Sequence, residues 1–353
     1  MRIAVDAMGG DRAPDEIVAG ALDSCEEPGH ELILVGQPDA IRACTAGRKF
    51  PAERVEVRPA AGVVGMGESP ASSLKRRETS IAVAVQLVRD GEAQAVVSAG
   101  NSGAFMAHAT LRLATIEGVE RPAIAIVVPA LAGPRVLLDA GANASCRPEH
   151  LVQFAHMGAV YARDVLAIPN PRVALMSIGE EASKGSGLTK AAHRMLSDLG
   201  EGLNFVGNVE GDTVFADVAD VVVCDGFTGN VFLKTAEGTA EALMEGLRAA
   251  ITSSLRAKLG AFLIRGALGK FRRLFDYATY GGALLLGVNG ICVVGHGRSD
   301  ARAVKAAISV AKRAVETRVV EEIAASCRAI EAPTRLPESA GAAVGAGAPT
   351  GGG

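Results

Sequence analysis

Short apolar runs rich in β-branched residues alternate along most of this chain with longer amphipathic segments. A short run bounded by turn residues predicts a strand, and apolar residues at every third or fourth position predict a helix. The predicted strands are Arg2–Asp6, Glu31–Gly36, Arg54–Arg58, Gln94–Ser98, Ala123–Pro129, Val136–Ala140, Arg172–Ile178, Leu203–Val209, Ala219–Cys224 and Ile291–Val294. The predicted helices include Pro14–Cys25, Ser80–Arg89, Ala104–Ala114, Pro148–Leu166, Leu188–Leu199 and Asp300–Cys327. This order of elements is typical of an α/β fold with a parallel sheet, in which ligands bind at the carboxyl ends of the strands.

The composition supports a buried sheet and disfavours several classes of protein. Of the 353 residues, 49% are hydrophobic but 4% are aromatic, so Ala, Val, Leu and Ile must build the core, as in strands covered by helices on both faces. The net charge of -3 gives no global field that would recruit nucleic acid, so we expect no nucleic-acid partner. The six Cys residues form no Cys-x-x-Cys pair, so we expect reduced thiols and no metal site. Without a leader pattern or an apolar run of about 18 residues, we expect a cytoplasmic protein.

Two segments depart from the α/β pattern. Residues Leu247–Phe275 contain seven cations and no Asp or Glu, and apolar residues recur at every fourth position from Leu247 to Leu259. This pattern predicts a basic amphipathic helical arm at about 240–280, which we call the basic arm. Residues 331–353 are dominated by Ala, Gly and Pro and are predicted to be disordered. Residues 1–328 are therefore expected to form a single α/β catalytic unit.

Four of the predicted strands end in loops of small residues. These loops are Asp6–Asp11, Ser98–Gly103, Gly179–Gly185 and Asp225–Asn230. Glycines let backbone amides approach a ligand, and a helix that begins just beyond adds unpaired N–H donors with a partial positive charge. A single loop of this kind is more often a tight turn between a strand and a helix. Four in one chain favour a site for an anion such as phosphate.

Polar side chains in three of these loops are candidate ligands. The loop Ser98–Gly103 is the best phosphate candidate, because Asn101 and Ser102 would supply donors at the mouth of the next helix, although Ser102 could instead cap that helix. Lys184 can pair with phosphate as a point charge, or it can be an exposed loop lysine. Asn230 can donate an amide N–H to an oxyanion, or it can cap the helix that begins there.

Other catalytic patterns are absent or weak. The chain lacks G-x-G-x-x-G after the first strand and G-x-x-x-x-G-K-[ST] anywhere, which disfavours Rossmann dehydrogenases and P-loop kinases. Cys146 and His150 lie four residues apart and leave open a thiolate nucleophile with a base. Pro148 should begin a helix there, however, and an isolated Cys is more often packed than reactive. Asp139 is expected to be a buried turn carboxylate.

Taken together, the loops resemble those of the phosphate acyltransferase family, the acyl-carrier-protein:phosphate transacylases. The matching segments follow the family's order from residue 1 to about residue 310 and are Asp6–Asp11, Ser98–Ala104, Leu138–Asn143, Lys184–Gly185, Gly207–Gly211, Asp225–Val231, Tyr280–Ala283 and Asn289–Gly290. The resemblance implies a three-layer α/β/α sandwich with a largely parallel sheet, like that of isocitrate and isopropylmalate dehydrogenases, and a homodimer. It also implies that a fatty acyl group passes from acyl-acyl-carrier-protein to inorganic phosphate, giving acyl phosphate for phospholipid synthesis without a metal or cofactor.

The chemistry of that reaction agrees with the loops. Phosphate is a poor nucleophile towards a thioester, so the enzyme must hold it at the carbonyl carbon and stabilise the oxyanion while a thiol leaves. We expect two catalytic residues: Lys184, which would hold phosphate with help from Asn101 and Ser102, and Asn230, which would contact the oxyanion or thioester. The expected phosphate-binding and substrate-binding residues are Asp6, Gly9, Gly10, Gly100, Asn101, Ser102, Gly103, Asp225, Thr228 and Gly229.

The basic arm is expected to dock the enzyme on an anionic partner, because cations without an acid would repel one another in a plain solvated helix. The expected docking residues are Leu255, Arg256, Lys258, Leu259, Phe262, Leu263 and Arg265. If the partner is the acidic acyl carrier protein, the cations alone would bind it. An anionic membrane would also use the apolar row, which favours a peripheral contact with the inner face of the cell membrane. A dimer interface is the alternative for part of this row.

Three other functions fit parts of the pattern. A phosphotransacylase acting on acyl-coenzyme A could use the same fold, but a small thioester needs no docking arm. A dehydrogenase of the isocitrate type should show metal-binding aspartates clustered in a helix, and the sequence shows none. A non-catalytic phosphate sensor or membrane-recruitment module is the third. Phosphate-dependent release of thiol from acyl carrier protein would separate them.

Overall fold

The computed structural model describes residues 1–130, 132–274 and 281–331, which form one mixed sheet with helices on both faces. The strands are β1 Arg2–Asp6, β2 Glu31–Gly36, β3 Val55–Pro59, β4 Ala95–Ser98, β5 Ala123–Val128, β6 Arg135–Leu138, β7 Val173–Met176, β8 Phe205–Val209, β9 Val221–Val223, β10 Ala283–Leu286 and β11 Ile291–Val294. The α-helices are α1 Asp15–Ser24, α2 Pro38–Thr45, α3 Pro70–Ser73, α4 Ser80–Arg89, α5 Ser102–Leu113, α6 Pro148–Val160, α7 Gly187–Asp198, α8 Gly226–Thr252, α9 Leu255–Leu263, α10 Arg265–Leu274, α11 Ala301–Glu316 and α12 Val319–Glu331. The predicted disordered tail, except Glu331, and residues 275–280 of the basic arm lie outside the described residues.

The sheet contains two parallel groups of strands that run in opposite directions. The strand order is β3-β2-β1-β4-β11-β10-β5-β6-β9-β7-β8. Strands β3, β2, β1, β4 and β11 pair in parallel, as do β6, β9, β7 and β8. Between these groups, β10 pairs antiparallel with β11 and with β5, and β5 pairs antiparallel with β6. The carboxyl ends of the two groups therefore lie at opposite edges of the sheet.

Helices cover both faces of this sheet because successive strand residues point to opposite sides. On one face, Ile3 and Val5 of β1 pack in a core with residues of α1, α6, α11 and α12. On the other face, Ala4 of β1 and Ile33 of β2 pack in a core with residues of α4 and α5. The inner strands are therefore buried on both sides, as their continuous apolar runs predict, whereas the edge strands β3 and β8 are less buried.

The structure confirms the α/β class with a large, mostly parallel sheet, and each predicted strand is present. The strand β10 was not predicted, because it is short and gains its hydrogen bonds from antiparallel neighbours on both sides. The predicted helix Asp300–Cys327 is wrong as one element. It consists of α11 and α12, because Arg318 between them has a φ of 54°, outside the right-handed helical region.

The second half of α8 together with α9 and α10 forms the part of the basic arm that the structure describes. Helix α8 has 27 residues, and its buried residues are the two glycines of its first turn, Gly226 and Gly229. Helix α9 contains no buried residue. A groove of about 1480 Å³ lies between α8 and the pair α9–α10. None of the described helices combines the length and the apolar character that crossing a bilayer requires.

Candidate active site

The directions of the strands sort the four predicted loops into two clusters. Loops 6–11 and 98–103 follow the parallel neighbours β1 and β4, and we call them the β1–β4 cluster. Loops 179–185 and 225–230 follow the parallel neighbours β7 and β9, and the turn 139–143 follows β6, which also pairs with β9. We call these three segments the β6–β9–β7 cluster. A purely parallel sheet would bring all the loops to one edge, whereas the antiparallel strands place the two clusters at opposite edges.

In the β1–β4 cluster, the buried carboxylate of Asp6 links the two loops through hydrogen bonds. It accepts hydrogen bonds from the Ser98 hydroxyl at 2.8 Å and from the Met8 N–H at 3.3 Å. A Cβ on Gly9 would lie 2.5 Å from this carboxylate and 2.8 Å from the nitrogen of Gly100, so the crossing of the loops requires glycine. Burial raises the pKa of Asp6, and its hydrogen bonds oppose that shift. The Asp6 carboxylate thus binds groups of the protein itself, the Ser98 hydroxyl and the Met8 N–H.

The side chain of Asn101 also makes its hydrogen bonds to other groups of the protein. Its Oδ1 accepts the N–H of Ala104 at 2.9 Å and caps α5, so the alternative that Ser102 is the cap is wrong. Its Nδ2 donates to three carbonyl oxygens of the 65–68 loop at 2.8 to 3.1 Å. A carboxamide has two N–H hydrogens, and both are engaged in these bonds. Ser102 is exposed, and its hydroxyl makes no hydrogen bond to the described residues.

The β6–β9–β7 cluster is built around Asp139, which is fully buried, as predicted. Its carboxylate accepts backbone N–H groups of Ile124 at 3.0 Å, Gly141 at 3.1 Å, Ala142 at 2.9 Å and Asn143 at 2.8 Å. The side-chain Nδ2 of Asn143 donates a fifth bond at 2.9 Å. Burial raises the pKa of Asp139, and these donors oppose the shift by stabilising the carboxylate. The turn after β6 is thereby held in one conformation.

The first turn of α8 is seated on the Asp139 turn. A Cβ on Gly226 would lie 2.7 Å from the Asp139 carboxylate, and a Cβ on Gly229 would collide with the Asp139 carbonyl oxygen. Asp225 caps the helix, because its carboxylate accepts the N–H of Thr228 at 2.9 Å and the Thr228 hydroxyl at 2.8 Å. Of the predicted ligand-binding residues, Asp225 and Thr228 therefore bind each other, and Gly229 provides the close approach of helix to turn.

The two predicted catalytic side chains follow the neighbouring strands β7 and β9, Lys184 on a loop and Asn230 near the beginning of α8. Asn230 is exposed and does not cap α8; a Cβ on Gly141 would lie 3.6 Å from its Oδ1. Lys184 is also exposed, and its stem passes over Gly179, where a Cβ would lie 2.7 Å from the Lys184 Cγ. Within the described residues, neither side chain makes a hydrogen bond or an ion pair. Both polar groups are therefore open to a ligand at one edge of the sheet.

The phosphate contacts predicted jointly for Lys184, Asn101 and Ser102 stay a prediction. The strand directions disfavour it, because Asn101 and Ser102 follow β4 in the oppositely directed group. No hydrogen bond or ion pair joins the 98–103 loop to the 179–185 loop in the described part of the chain.

The sequence analysis did not identify Asn208 and His193, which contact the loop of Lys184 directly or through each other. Asn208 of β8 donates its Nδ2 to the carbonyl oxygen of Glu181 at 3.0 Å, and its Oδ1 faces the Nδ1 of His193 at 2.9 Å. Asn208 lies in the segment Gly207–Gly211, which resembles the family, and that was the available signal. Its partners come from separate elements and could not be read from spacing.

The contacts of Cys146 and His150 contradict the alternative of a thiolate nucleophile with a base. Burial raises the pKa of the Cys146 thiol to about 11, and its Sγ faces the Asn143 carbonyl oxygen at 3.8 Å. The Nδ1 of His150 accepts the N–H of Arg147 at 3.1 Å, and its Nε2 faces a Glu120 carboxylate oxygen at 3.2 Å. The imidazole thus accepts a hydrogen bond at the N-cap of α6 and faces Glu120, so it is not placed as a base for Cys146.

Helix α8 connects the edges that carry the two clusters. Leu233 packs in the same core as Ala140, which follows β6, and Val294, which ends β11. Two turns further on, the carboxylate of Glu241 accepts a hydrogen bond from the guanidinium of Arg298, beyond β11, at 2.9 Å. From residue 230 to residue 241 an α-helix rises by about 16 Å. The helix therefore crosses the sheet from Asn230 towards the edge at which β4 and β11 end.

The fold and the open polar groups indicate the class of protein. In the described ranges, no group of three or more His, Cys, Asp or Glu side chains is arranged to hold a metal ion. The groups that are open at the β6–β9–β7 cluster include an ammonium and a carboxamide beside a helix N-terminus, which suit an anion, and also the exposed side chains of Glu180 and Glu181. The chain is thus an α/β protein in which an ammonium and a carboxamide lie open at the carboxyl ends of parallel strands.

Comparison with known proteins identifies the family. A family model described as "Fatty acid synthesis protein" matches residues 1–322. The phosphate acyltransferase of Desulfitobacterium hafniense is 51% identical over 325 residues, covering 92% of this chain and 96% of that protein. The phosphate acyltransferase of Heliobacterium modesticaldum is 48% identical over 328 residues, with the same coverage of 92% and 96%. A solved phosphotransacetylase from Streptococcus pyogenes has a similar fold, with a TM-score of 0.59, 17% identity and 94% of each chain covered. The chain belongs to the phosphate acyltransferase family and is an acyltransferase of fatty acid and lipid synthesis.

Proposed function

We propose that this acyltransferase moves a fatty acyl group from acyl-acyl-carrier-protein to inorganic phosphate and releases acyl phosphate for phospholipid synthesis. The relatives' name supports phosphate as the acceptor, and the proposal adds the donor and the product. The observation that carries it is the open ammonium of Lys184, on the loop after β7, and the open carboxamide of Asn230, near the beginning of α8 after β9. Together they supply a cation for phosphate and a donor for an oxyanion.

The proposed reaction needs positioning and charge stabilisation. An oxygen of hydrogen phosphate attacks the thioester carbonyl carbon, so that a C–O bond forms and the C–S bond breaks. The proton of hydrogen phosphate ends on the departing thiol, which balances the reaction. The Lys184 ammonium holds the phosphate and lowers its repulsion from the developing negative charge. The Asn230 amide donates to the carbonyl oxygen as it becomes an oxyanion. The predicted substrate contacts of the β1–β4 cluster stay predictions.

Thiol release tests this proposal directly. The purified protein is mixed with acyl-acyl-carrier-protein, and free thiol is measured with and without inorganic phosphate. We expect release that depends on phosphate and is far faster than release from acyl-coenzyme A at the same concentration. Release without phosphate would identify a thioesterase. Equal or faster release from acyl-coenzyme A would favour the second phosphotransacylase function, and no release from either donor would favour a phosphate sensor.

Two further features are proposed from the family resemblance. The mixed sheet is compatible with kinship to the isocitrate and isopropylmalate dehydrogenase fold, and the protein is proposed to act as a homodimer. Light scattering of the purified protein tests the second point, and a mass of one chain at micromolar concentration would contradict it.

We also propose that α9 and α10 dock the protein peripherally on an anionic membrane, at the inner face of the cell membrane. Leu255, Leu259, Phe262 and Leu263 of α9 are exposed to 85%, 63%, 59% and 75%. Cations lie among them, and the guanidinium of Arg265 stacks over the Phe262 ring at 4.5 Å from its centroid. Acidic acyl carrier protein would need the cations but not this apolar row. Apolar burial combined with cationic contacts, each worth about 1 kcal/mol near anionic headgroups, favours the membrane.

Sedimentation with anionic liposomes tests the docking proposal. The variant carries Leu255→Glu and Leu259→Glu, and Leu111→Glu serves as a control because Leu111 is 66% exposed on α5, outside the arm. We expect the double variant to stay in the supernatant while it keeps its activity on soluble donor, and we expect the control to sediment. Binding that survives the double change, or a parent protein that fails to bind at low salt, would contradict membrane docking. A monomeric double variant would assign the row to the dimer interface.

A further inference from the structure

The loop between β7 and α7 carries Lys184 but has few ties to the rest of the fold. Its residues from Glu181 to Lys184 are all exposed. Within the loop, the backbone N–H of Lys184 donates to the carbonyl oxygen of Glu181 at 2.9 Å and closes a turn. Among the described residues, the hydrogen bond that reaches loop 179–185 from outside comes from Asn208. Within the described ranges, this side chain therefore supplies the one hydrogen bond that ties the Lys184 turn to a neighbouring strand.

The orientation of the Asn208 carboxamide is itself set by a neighbour. Its Oδ1 faces the Nδ1 of His193 at 2.9 Å, so that nitrogen must carry the hydrogen. The His193 ring is packed edge-on against Phe205, with 5.2 Å between the ring centroids. With Oδ1 committed to His193, the Nδ2 is left to donate to Glu181. A flipped carboxamide would place two oxygens against each other at Glu181, so the observed orientation is favoured.

We propose that Asn208 is a positioning residue for the transfer reaction: it holds the Glu181–Lys184 turn so that the Lys184 ammonium meets the phosphate. The inference rests on the proposed role of Lys184. A carbonyl oxygen has two lone pairs, and the Glu181 oxygen uses them for the N–H groups of Lys184 and Asn208. Loss of one donor releases the turn from β8. A misplacement of about 1 Å in a group that orients a reactant can cost about 100-fold in rate.

The variant Asn208→Asp removes this hydrogen bond, because Asp keeps the shape and an acceptor for His193 but turns a carboxylate oxygen, not an N–H, towards Glu181. The matched control is Asn204→Asp, immediately before β8, where the carboxamide donates to the Asn170 carbonyl oxygen at 3.0 Å. We expect kcat/KM for phosphate to fall by about 10- to 100-fold in Asn208→Asp and to stay within about twofold of the parent in the control. Urea unfolding of both variants checks that the fold is kept.

A second variant covers the case in which Asn208→Asp does not fold. His193→Ala leaves the Nδ2 donor in place but removes the group that orients it. We expect a smaller loss in the same kinetic constant, because the carboxamide can then rotate. A folded His193→Ala protein with the kinetics of the parent would count against the inference.

A double-mutant cycle distinguishes positioning of Lys184 from a general structural role. If Asn208 acts through Lys184, then Asn208→Asp should have no further effect on kcat/KM in a Lys184→Ala background. Multiplicative losses would overturn the inference, and so would a folded Asn208→Asp protein with normal kinetics beside an impaired Lys184→Ala. A fully active Lys184→Ala protein would instead overturn the proposed function of the site.

Discussion

The buried carboxylate of Asp139 offers a sharp test of how the candidate site is held together. We predict that Asp139→Asn destabilises the protein, although the two side chains have the same shape. In the best orientation, the new Oδ1 keeps the bonds from Ile124, Gly141 and Ala142. The new NH₂ group then faces the backbone N–H and the side-chain Nδ2 of Asn143, which now sit 2.8 and 2.9 Å from the carboxylate. The flipped orientation opposes three donors instead of two and is worse.

The size of the effect follows from these two conflicts. A buried donor left without an acceptor costs about 1 to 3 kcal/mol, and two such donors cost about 2 to 6 kcal/mol. Removing a buried charge offsets part of that cost, so we expect the free energy of unfolding to fall by about 2 to 4 kcal/mol. Because Gly226 and Gly229 of α8 are seated on this turn, the position of Asn230 should change as well. We therefore also expect turnover to fall.

Urea unfolding with linear extrapolation measures the change in stability. The control is Asp198→Asn, since Asp198 is exposed in α7 and makes no hydrogen bond or ion pair to the described residues. The control should stay within about 0.5 kcal/mol of the parent. An Asp139→Asn protein inside that same range of about 0.5 kcal/mol would refute the reasoning, because the five N–H donors would then not depend on a carboxylate.

Three further predictions concern other parts of the molecule. The free energy of unfolding of Lys184→Ala should stay within about 0.5 kcal/mol of the parent, since the side chain is exposed. The same variant should lose about 2 to 4 kcal/mol of transition-state stabilisation. Near-normal rates at both limiting and saturating phosphate would reject the role of Lys184. Asn230→Ala should lower turnover far more than the affinity for phosphate, and an effect confined to the KM for phosphate would place Asn230 at the phosphate instead. Burial lowers the pKa of His156 from 6.5 to about 4, so the unfolded chain binds a proton first and stability should be lost as the pH falls from 6.5 to about 4. His156→Gln should flatten this dependence of the unfolding free energy on pH, and an unchanged slope would contradict the assignment.

Local patterns in the sequence were enough for the strands, the glycine-rich loops and the choice of Lys184 and Asn230. A buried strand needs a run of apolar residues, and a close approach such as that of Gly229 to Asp139 needs glycine. Both features can therefore be recognised from a short stretch of sequence. The same local logic predicted Asp139 as a buried carboxylate. It did not reveal β10, whose hydrogen bonds come from β5 and β11.

The direction of each strand and the partners of buried polar groups required the folded chain. Strand β11 enters the sheet beside β4, nearly two hundred residues earlier in the chain, and β10 then reverses the direction beside it. Such pairings place the 98–103 loop and Lys184 at opposite edges of the sheet. The carboxamide of Asn208 meets its partners in the same way, across elements that share no local pattern. Strand direction and these buried hydrogen bonds depend on contacts between segments that are distant in the sequence. A short stretch of sequence therefore does not predict those contacts.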